Sequence, residues 1–486
     1  MKKTNVPIVT LAIFMTTFMT AIEGTIVSTA MPTIVSDLDG LEIMNWVISI
    51  FLLMTAVSTP LYGKLADSIG RKPVFLFGIA LFVIGSSLCG LAQNMVELIL
   101  FRVIQGLGSG AVQPVAITII ADLYALQKRA KMLGLNSGFW GVASVIAPLL
   151  GGFIVQHLSW HWVFYINVPI GIIAFLLVIF CLQEPKHSSK SKLDLQGTIW
   201  LVILLLALMF FLQDLGSNTN IAIMAALAVL VVISINMFFR AEKRAVDPIM
   251  PLTMLKDKEF LAINLITLLI SGVVIGFEFY IPTWMQGING TNPSLAGFAV
   301  TPSSLMWIVG SFLIGGMLGR WGIKKTYDYM LLVLVVADLV LILVPIYTSF
   351  WVFCVIAAFN GTAFGAITTA SQVRSQVLVP KDDIGVATSF NTLMKYLGQT
   401  MMVSLYGIAF NTMIAHGLSK HPGLNQEMMN KIVSAENAKT LAANVVPQLR
   451  QVLLGGLKAI YVVSMIVIVV SIVLNQLYRD RKLKKN

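Results

Sequence analysis

The sequence predicts an all-α integral membrane protein of about fourteen transmembrane helices, built as two six-helix bundles with an inserted helix pair, both termini cytoplasmic. Three observations predict it: a lipid-like composition, apolar runs of membrane-spanning length, and basic residues confined to alternate loops. Charged residues make up 11% of the 486 and hydrophobic ones 57%, where ordinary soluble domains are roughly a quarter charged. Mean hydropathy is +0.86. A soluble chain of this composition lacks the polar residues to cover its outside. Lipid as solvent removes the difficulty.

A bilayer core asks for about 20 consecutive apolar residues in a helix. Such runs fall at about 6–30, 43–66, 73–92, 94–121, 130–156, 161–183, 195–213, 221–239, 259–286, 294–319, 327–346, 350–378, 384–414 and 456–478. The first follows Met-Lys-Lys-Thr like a signal peptide, but it is too long for an h-region and contains Glu23, so it reads as an uncleaved span. The three cysteines, Cys89, Cys181 and Cys354, lie inside apolar runs and suggest no disulfide framework.

Basic residues favour cytoplasmic loops. With the N-terminus inside, 26 of the 33 Lys and Arg fall in inner segments. Five (Lys420, Lys431, Lys439, Arg450 and Lys458) border one long outer loop, about 417–455. Arg102 and Lys395 remain within helices. The charge of +11 is therefore topology and marks no nucleic-acid surface.

The chain also repeats itself. Gly63-Lys-Leu65-Ala-Asp67-Ser-Ile-Gly70-Arg71-Lys72 follows span 2, and Gly316-Met-Leu318-Gly-Arg320-Trp-Gly322-Ile-Lys324-Lys325 follows span 10. Gln105-Gly106-Leu-Gly108-Ser-Gly110 in span 4 matches Asn360-Gly361-Thr-Ala363-Phe-Gly365 in span 12. These repeats predict an N-terminal bundle over 1–184, an inserted pair over 185–257 and a C-terminal bundle over 258–486. Repeated halves with a site at their interface are the plan of many secondary transporters.

The loop around Asp67, together with Arg102-Val-Ile-Gln105-Gly106, resembles the signatures of the major facilitator superfamily. Three further stretches resemble its fourteen-span drug:proton antiporters: Ile22-Glu23-Gly24-Thr25 through Pro32, the glycine-rich span 5, and Trp160-His-Trp162 through Asn167-Val-Pro169. Two positions depart from that pattern. Glu23 stands where the family usually has Asp, and Ala147-Pro148 where it has Gly-Pro. The resemblance implies a monomeric plasma-membrane exporter of small lipophilic, often cationic compounds, antibiotics included, in exchange for protons. It would need no cofactor beyond the proton gradient, and its other partners would be membrane lipids. The alternative is a substrate-specific transporter of a metabolite, lipid or siderophore, an importer included.

Gating is expected from Gly63, Asp67, Gly70, Arg71, Gly134, Pro148, Gly151 and Gly152. Gly63 is read as permitting close approach of spans 2 and 3, and Arg71 and Lys72 as pairing with acids or lipid phosphates. Asp67 is expected near the start of span 13, around Asp383 to Gly385, where free backbone N–H groups favour an anion. The resemblance makes that loop a latch between halves. In span 5, glycines crowded around a proline signal close backbone packing and a bend. Trp160, Trp162 and Tyr165 read as interfacial aromatics without a chemical role.

Mechanism is expected from charges inside the membrane, where an ionised side chain costs at least about 2.5–3.5 kcal/mol and so faces protein or water. Glu23, Arg102 and Glu278 each lie about 10–12 Å below the outer ends of their spans, taking 1.5 Å per residue. Glu23 is read as the main proton carrier, because burial and a nearby arginine act on a carboxylate in opposite senses. Glu278 is read as a second carrier or a cation-attracting group, facing Glu23 across a central cavity. Met19, Glu23, Gln105, Glu278, Tyr280 and Trp284 are the expected cavity residues. Asp338 has no evident partner, and Lys395 is assigned either proton steering or helix bracing. His157 and His161 have the four-residue spacing of a metal pair but lack the Glu of His-Glu-x-x-His, and no metal site is expected. No nucleophile constellation or phosphate-binding loop is present, which argues against an enzyme and against direct ATP drive.

Overall fold

The computed structural model describes residues 4–124, 126–184, 195–214, 221–245, 254–380 and 384–478. Its helices are α1 (Val6–Leu38), α2 (Met44–Ile69), α3 (Arg71–Cys89), α4 (Met95–Leu123), α5 (Leu126–His157) and α6 (Asn167–Cys181, after the single turn Trp162–Tyr165). They continue with α7 (Leu195–Asp214), α8 (Ile221–Arg244) and α9 (Lys258–Gly287). The run Pro293–Leu343 is kinked at Gly322 and holds two apolar spans, α10 (Pro293–Leu318) and α11 (Arg320–Leu343), the kink falling near the start of the second. Then come α12 (Phe350–Val377), α13 (Ile384–Lys420) and α14 (Val446–Leu477). Among the described residues, thirteen helices are long and apolar enough to cross a membrane; α7 holds a shorter apolar stretch, Gln196–Leu212. The face carrying residues 4 and 478 is called inner, and the face carrying the 421–445 loop outer.

The repeat is visible at its corners. Gly70 (φ 105°) and Gly322 (φ 74°) adopt the left-handed region that side chains disfavour, turning α2 into α3 and α10 into α11. Two residues on, a lysine caps the last helix of its own half. Lys72 Nζ donates to the carbonyls of Ile179 and Leu182, and Lys324 Nζ to those of Gln476 and Tyr478. Cations belong at helix C-termini, where carbonyls are left unpaired.

Within the N-terminal half α1 packs on α4, α5 and α6, and α4 on α2 and α3. In the C-terminal half α9 packs on α12, α13 and α14, and α11 on α12 and α14. The halves meet where α5 lies on α10 and α2 on α13, with α1 crossing α9. The inserted pair packs on itself, and α7 touches α2 and α13 at the outside of that seam. Only 11% of the apolar window of α8 is buried, so that helix faces lipid along most of its length.

Close packing in α5 has a specific partner. A Cβ on Gly297 of α10 would stand 2.1 Å from the Pro148 carbonyl oxygen, and one on Gly152 2.5 Å from that of Pro293. Gly151 abuts Ile26 of α1 in the same layer. Gly63 behaves otherwise: a Cβ there meets nothing within 4 Å, so its expected role in drawing α2 and α3 together is not seen. The tight turn at Gly70 performs that approach. The side chains of Asp67 and Gly134, and residues 381–383, lie outside the described set, and with them the expected latch at the start of α13.

Arg71 does pair with an acid, Asp122 of α4. The Glu184 carboxylate accepts from the backbone N–H groups of Arg71 (2.8 Å) and Lys72 (2.9 Å) at the start of α3. These contacts all join elements of the N-terminal half, so the bonds described around Arg71 brace that half from within.

The outer loop is not an open tether. It forms a short helix, Gln426–Ile432, and lies on the outer end of α1. Asn430 Nδ2 donates to Asp39 (3.2 Å), and Asn437 Nδ2 to the Ser36 hydroxyl (2.6 Å). The C-terminal half thereby clasps the N-terminal one, and α14 begins at Val446, ten residues before the expected 456.

Candidate functional site

Glu23 is fully buried in α1. One carboxylate oxygen accepts from Arg102 Nη1, and the other from Asn167 Nδ2 at 2.7 Å. Arg102 is held from three further sides. Its Nε donates to the Val47 carbonyl (3.0 Å), its Nη1 to Gln105 Oε1 (2.8 Å), and its guanidinium carbon lies 4.0 Å from the Phe51 ring centroid. Gln105 and Asn167 in turn donate to the Ser86 hydroxyl, which donates to the Phe164 carbonyl. Helices α1, α2, α3, α4 and α6 thus meet in one polar network inside an apolar bundle. A low local dielectric strengthens such a network and makes each missing partner costly.

Sequence reasoning named Glu23, Arg102 and Gln105 in this network and missed Ser86, Asn167 and Phe51. Asn167 stood in the Trp160–Pro169 stretch read as interfacial only. Trp162 is half exposed as that reading requires, but Trp160 is buried with its indole N–H on Asp37, and Asn167 ligates the central acid. An asparagine at the mouth of an apolar helix was the available signal. His161 stacks on Trp160 at 3.8 Å between centroids, and His157 lies tilted against Phe153 at 4.6 Å.

Between the halves lies a cavity of about 660 Å³, within the range of small-molecule sites. Its walls come from α1, α2, α4 and α5 on one side and α9, α10, α12 and α13 on the other. Phe51, Trp140, Trp307, Phe312 and Tyr396 supply aromatic surface, and Glu278 and Lys395 supply opposite charges. The Lys395 ammonium lies 5.8 Å from the Trp140 ring centroid and 5.9 Å from that of Tyr396, cation–π range.

Of the six residues expected in the cavity only Glu278 lines it. Glu23, Met19 and Gln105 lie behind its wall, and in α1 the cavity is lined by Thr20, Ala21, Gly24 and Thr25. The reason is helical phase. At 100° per residue, Glu23 and its neighbour Gly24 face different ways. Glu23 and Glu278 therefore do not face one another: one acid serves the interior of its bundle and the other serves the cavity. By the same geometry Tyr280 and Trp284 point away from Glu278. Tyr280 donates to Asn45 Oδ1 across the halves at 2.5 Å, and Trp284 packs among Phe353 and Tyr461. Lys395, expected to steer or brace, is a cavity residue.

Bonds between halves gather on the outer side. Besides Tyr280–Asn45 and the loop contacts, Gln286 donates to the Thr29 carbonyl (3.3 Å) and Asn411 to that of Glu42 (2.8 Å). Deeper in, Tyr396 donates to Gln113 at 3.2 Å beside the cavity. The conformation is closed on the outer face.

Two repeated helical halves around a central cavity are the plan of a membrane transporter of small molecules. The sequence profile of the Major Facilitator Superfamily matches residues 13–403, and the chain belongs to that family as a multi-pass plasma-membrane protein. It is 37% identical over 418 residues to Multidrug resistance protein 3 of Bacillus subtilis, covering 84% of this chain and 80% of that one. It is 36% identical over 399 residues to the multidrug transporter protein MdtP of the same organism, covering 81% and 73%. With the multidrug efflux pump SdrM of Staphylococcus aureus it shares 31% over 411 residues, covering 82% and 90%. In fold it is similar to a bacterial homologue of the lysosomal transporter Spinster in an inward-facing, occupied form: TM-score 0.72, 17% identity, 98% of this chain and 97% of that one covered.

Proposed function

We propose that this transporter exports small lipophilic compounds, many of them cationic, in exchange for protons, with Glu23 as the principal proton carrier. The observation that carries the reading is a fully buried carboxylate tied to one arginine directly behind the wall of a two-sided aromatic cavity. The relatives named as multidrug transporters and efflux pumps support the substrate class and the outward direction.

A proton taken up on Glu23 cancels its charge and removes the reason for Arg102 to hold it. Arg102 keeps its bonds to Val47 and Gln105, so α1 is the partner released. Because α1 touches α9 and α10 of the other half, its release bears on how the halves meet. In the cavity, aromatic faces accept apolar and cationic groups alike. Glu278 attracts a cation, while Lys395 keeps the wall from a single sign, which admits neutral and amphoteric compounds too. A proton crossing 100 mV supplies about 2.3 kcal/mol, enough for roughly a fifty-fold gradient of an exported neutral compound, whereas one-for-one exchange with a monovalent cation moves no net charge and draws on the pH gradient alone.

The test is ethidium uptake by everted vesicles under an imposed pH gradient. Wild-type vesicles should accumulate ethidium, and Glu23→Gln vesicles should fall to the level of vesicles without the protein, at equal folded yield. Gradient-driven uptake by the variant at the wild-type rate contradicts the carrier role.

A further inference from the structure

The two halves treat their buried polar residues differently. Counted from the corner glycines Gly70 and Gly322, Ser86 of α3 and Asp338 of α11 occupy the same position, sixteen residues on. The motif match likewise pairs Gln105 with Asn360. In the N-terminal half these positions belong to the closed network around Glu23. Their counterparts in the C-terminal half are left open: Asp338 Oδ2 and both amide atoms of Asn360 have no hydrogen-bond partner among protein atoms, although both residues are buried.

Asp338 is 2% exposed, and the groups around it are neutral. Ser464 of α14 meets its carboxyl group, and near it stand Tyr406 of α13, which also meets Ser464, and Tyr461 of α14, whose hydroxyl lacks a partner. Tyr280 of α9 follows, its ring 6.3 Å from that of Tyr406 and its hydroxyl on Asn45 of the opposite half. The basic side chains of the surrounding helices are elsewhere. Arg374 of α12 is bonded to Glu259, and Lys395 lines the cavity. Arg450 reaches the Gly287 carbonyl, and Lys458 sits partly exposed about 9 Å outward of Ser464 along α14. α10 carries no charged side chain between Pro293 and Leu318. Glu23 has Arg102, and Glu278 shares its cavity with Lys395. Among the described residues Asp338 is the buried acid, in the outer part of its span, that no cation faces.

An ionised carboxylate buried in that setting faces no counter-charge, so the packing seen here accommodates the carboxylic acid. The natural cargo of such a pocket is a proton. A sodium ion would want several preformed oxygen ligands, and the helices around Asp338 are unbroken, with their carbonyls engaged.

We infer that Asp338 is a second proton-binding site, in the C-terminal half, whose occupancy favours closure of the outer face through the Tyr406, Tyr461, Tyr280 and Asn45 contacts. The proton adds to one carboxylate oxygen from water reaching the pocket when the outer face is open. Its loss returns a charge that the closed packing cannot solvate, and opening the outer face restores water. The site assigns the C-terminal half a proton of its own, separate from the one on Glu23. It rests on the proton-driven reading for its physiological use, but not for its test, which needs no transported compound.

The test is the distance between spin labels on Gln93→Cys and Lys420→Cys, both exposed on the outer face, one in each half, in full-length protein lacking Cys89, Cys181 and Cys354. In wild type the population with separated labels should grow as pH rises. Asp338→Asn, permanently neutral, should lose at least half of that pH-dependent amplitude and stay closed. Ser464→Ala, which removes a hydrogen bond to the anion, should move the midpoint to higher pH and serves if the asparagine variant does not fold. Adding sodium at constant ionic strength should change nothing. Wild-type amplitude and midpoint in both variants, a wild-type protein without pH response, or a sodium-dependent shift overturns the proposal. Failure of ethidium export with this pH response intact would instead count against the exporter reading alone.

Discussion

Arg102 touches α1 through Glu23, α2 through the Val47 carbonyl and Phe51, and neighbouring Gln105 on its own helix. Removing one member of a buried ion pair leaves the other unpaired, which costs about 3–5 kcal/mol. Arg102→Ala should therefore lose stability on that scale in a thermal or denaturant assay, and Glu23→Gln combined with it should recover much of the loss. Equal stability of the single and double variants would show that the pair is not coupled. At this scale the sequence was legible where charge was involved. Glu23 and Arg102 stand out because ions are rare in apolar helices. Ser86 and Asn167 did not, since uncharged polar residues in membrane helices are common and mostly bond their own backbone, as Ser49, Thr55 and Ser234 do. Which way Glu23 and Glu278 face was also illegible. A single residue turns a helix by 100°, finer than the boundaries that apolar runs can define.

Among the elements, α5 and α10 form a tight seam between the halves. The absence of a side chain on Gly297 is what lets its backbone approach the Pro148 carbonyl. Gly297→Ala should force α5 and α10 apart at the outer face. Overpacking of this kind costs about 1–3 kcal/mol, a population shift of roughly 5–150-fold. Disulfide formation between Ser36→Cys and Asn437→Cys, which bridge the outer clasp, should slow accordingly; an unchanged rate would mean that the seam does not hold that face shut. The all-helical order was readable from apolar runs, although thirteen rather than fourteen of the described helices are long and apolar enough to span, and the corner at Gly322 was readable from its resemblance to Gly70. The helix Gln426–Ile432 was not, because its hold on α1 comes from asparagines that give no periodic signal. The glycines of α5 announced close packing without naming its partner; Gly63, read the same way, turned out to face open space.

For the molecule as a whole, the arrangement separates three tasks that the sequence suggested were one. The N-terminal half holds the fully bonded Glu23–Arg102 network that we propose carries the proton, the C-terminal half an open neutral pocket around Asp338, and the cavity between them carries its own acid and base. Both embedded sites lie behind the walls of the half that contains them, so protons and substrate need not touch to exclude one another: each acts on how the halves meet. The most direct measurement of that exchange is proton release from purified, weakly buffered wild-type protein on adding ethidium, with binding followed by fluorescence in the same sample. The account predicts that ethidium binding releases protons, and that Glu23→Gln binds ethidium but releases fewer protons, by up to one per molecule bound. Ethidium bound by the wild type with no proton released, or identical release from Glu23→Gln, would contradict it.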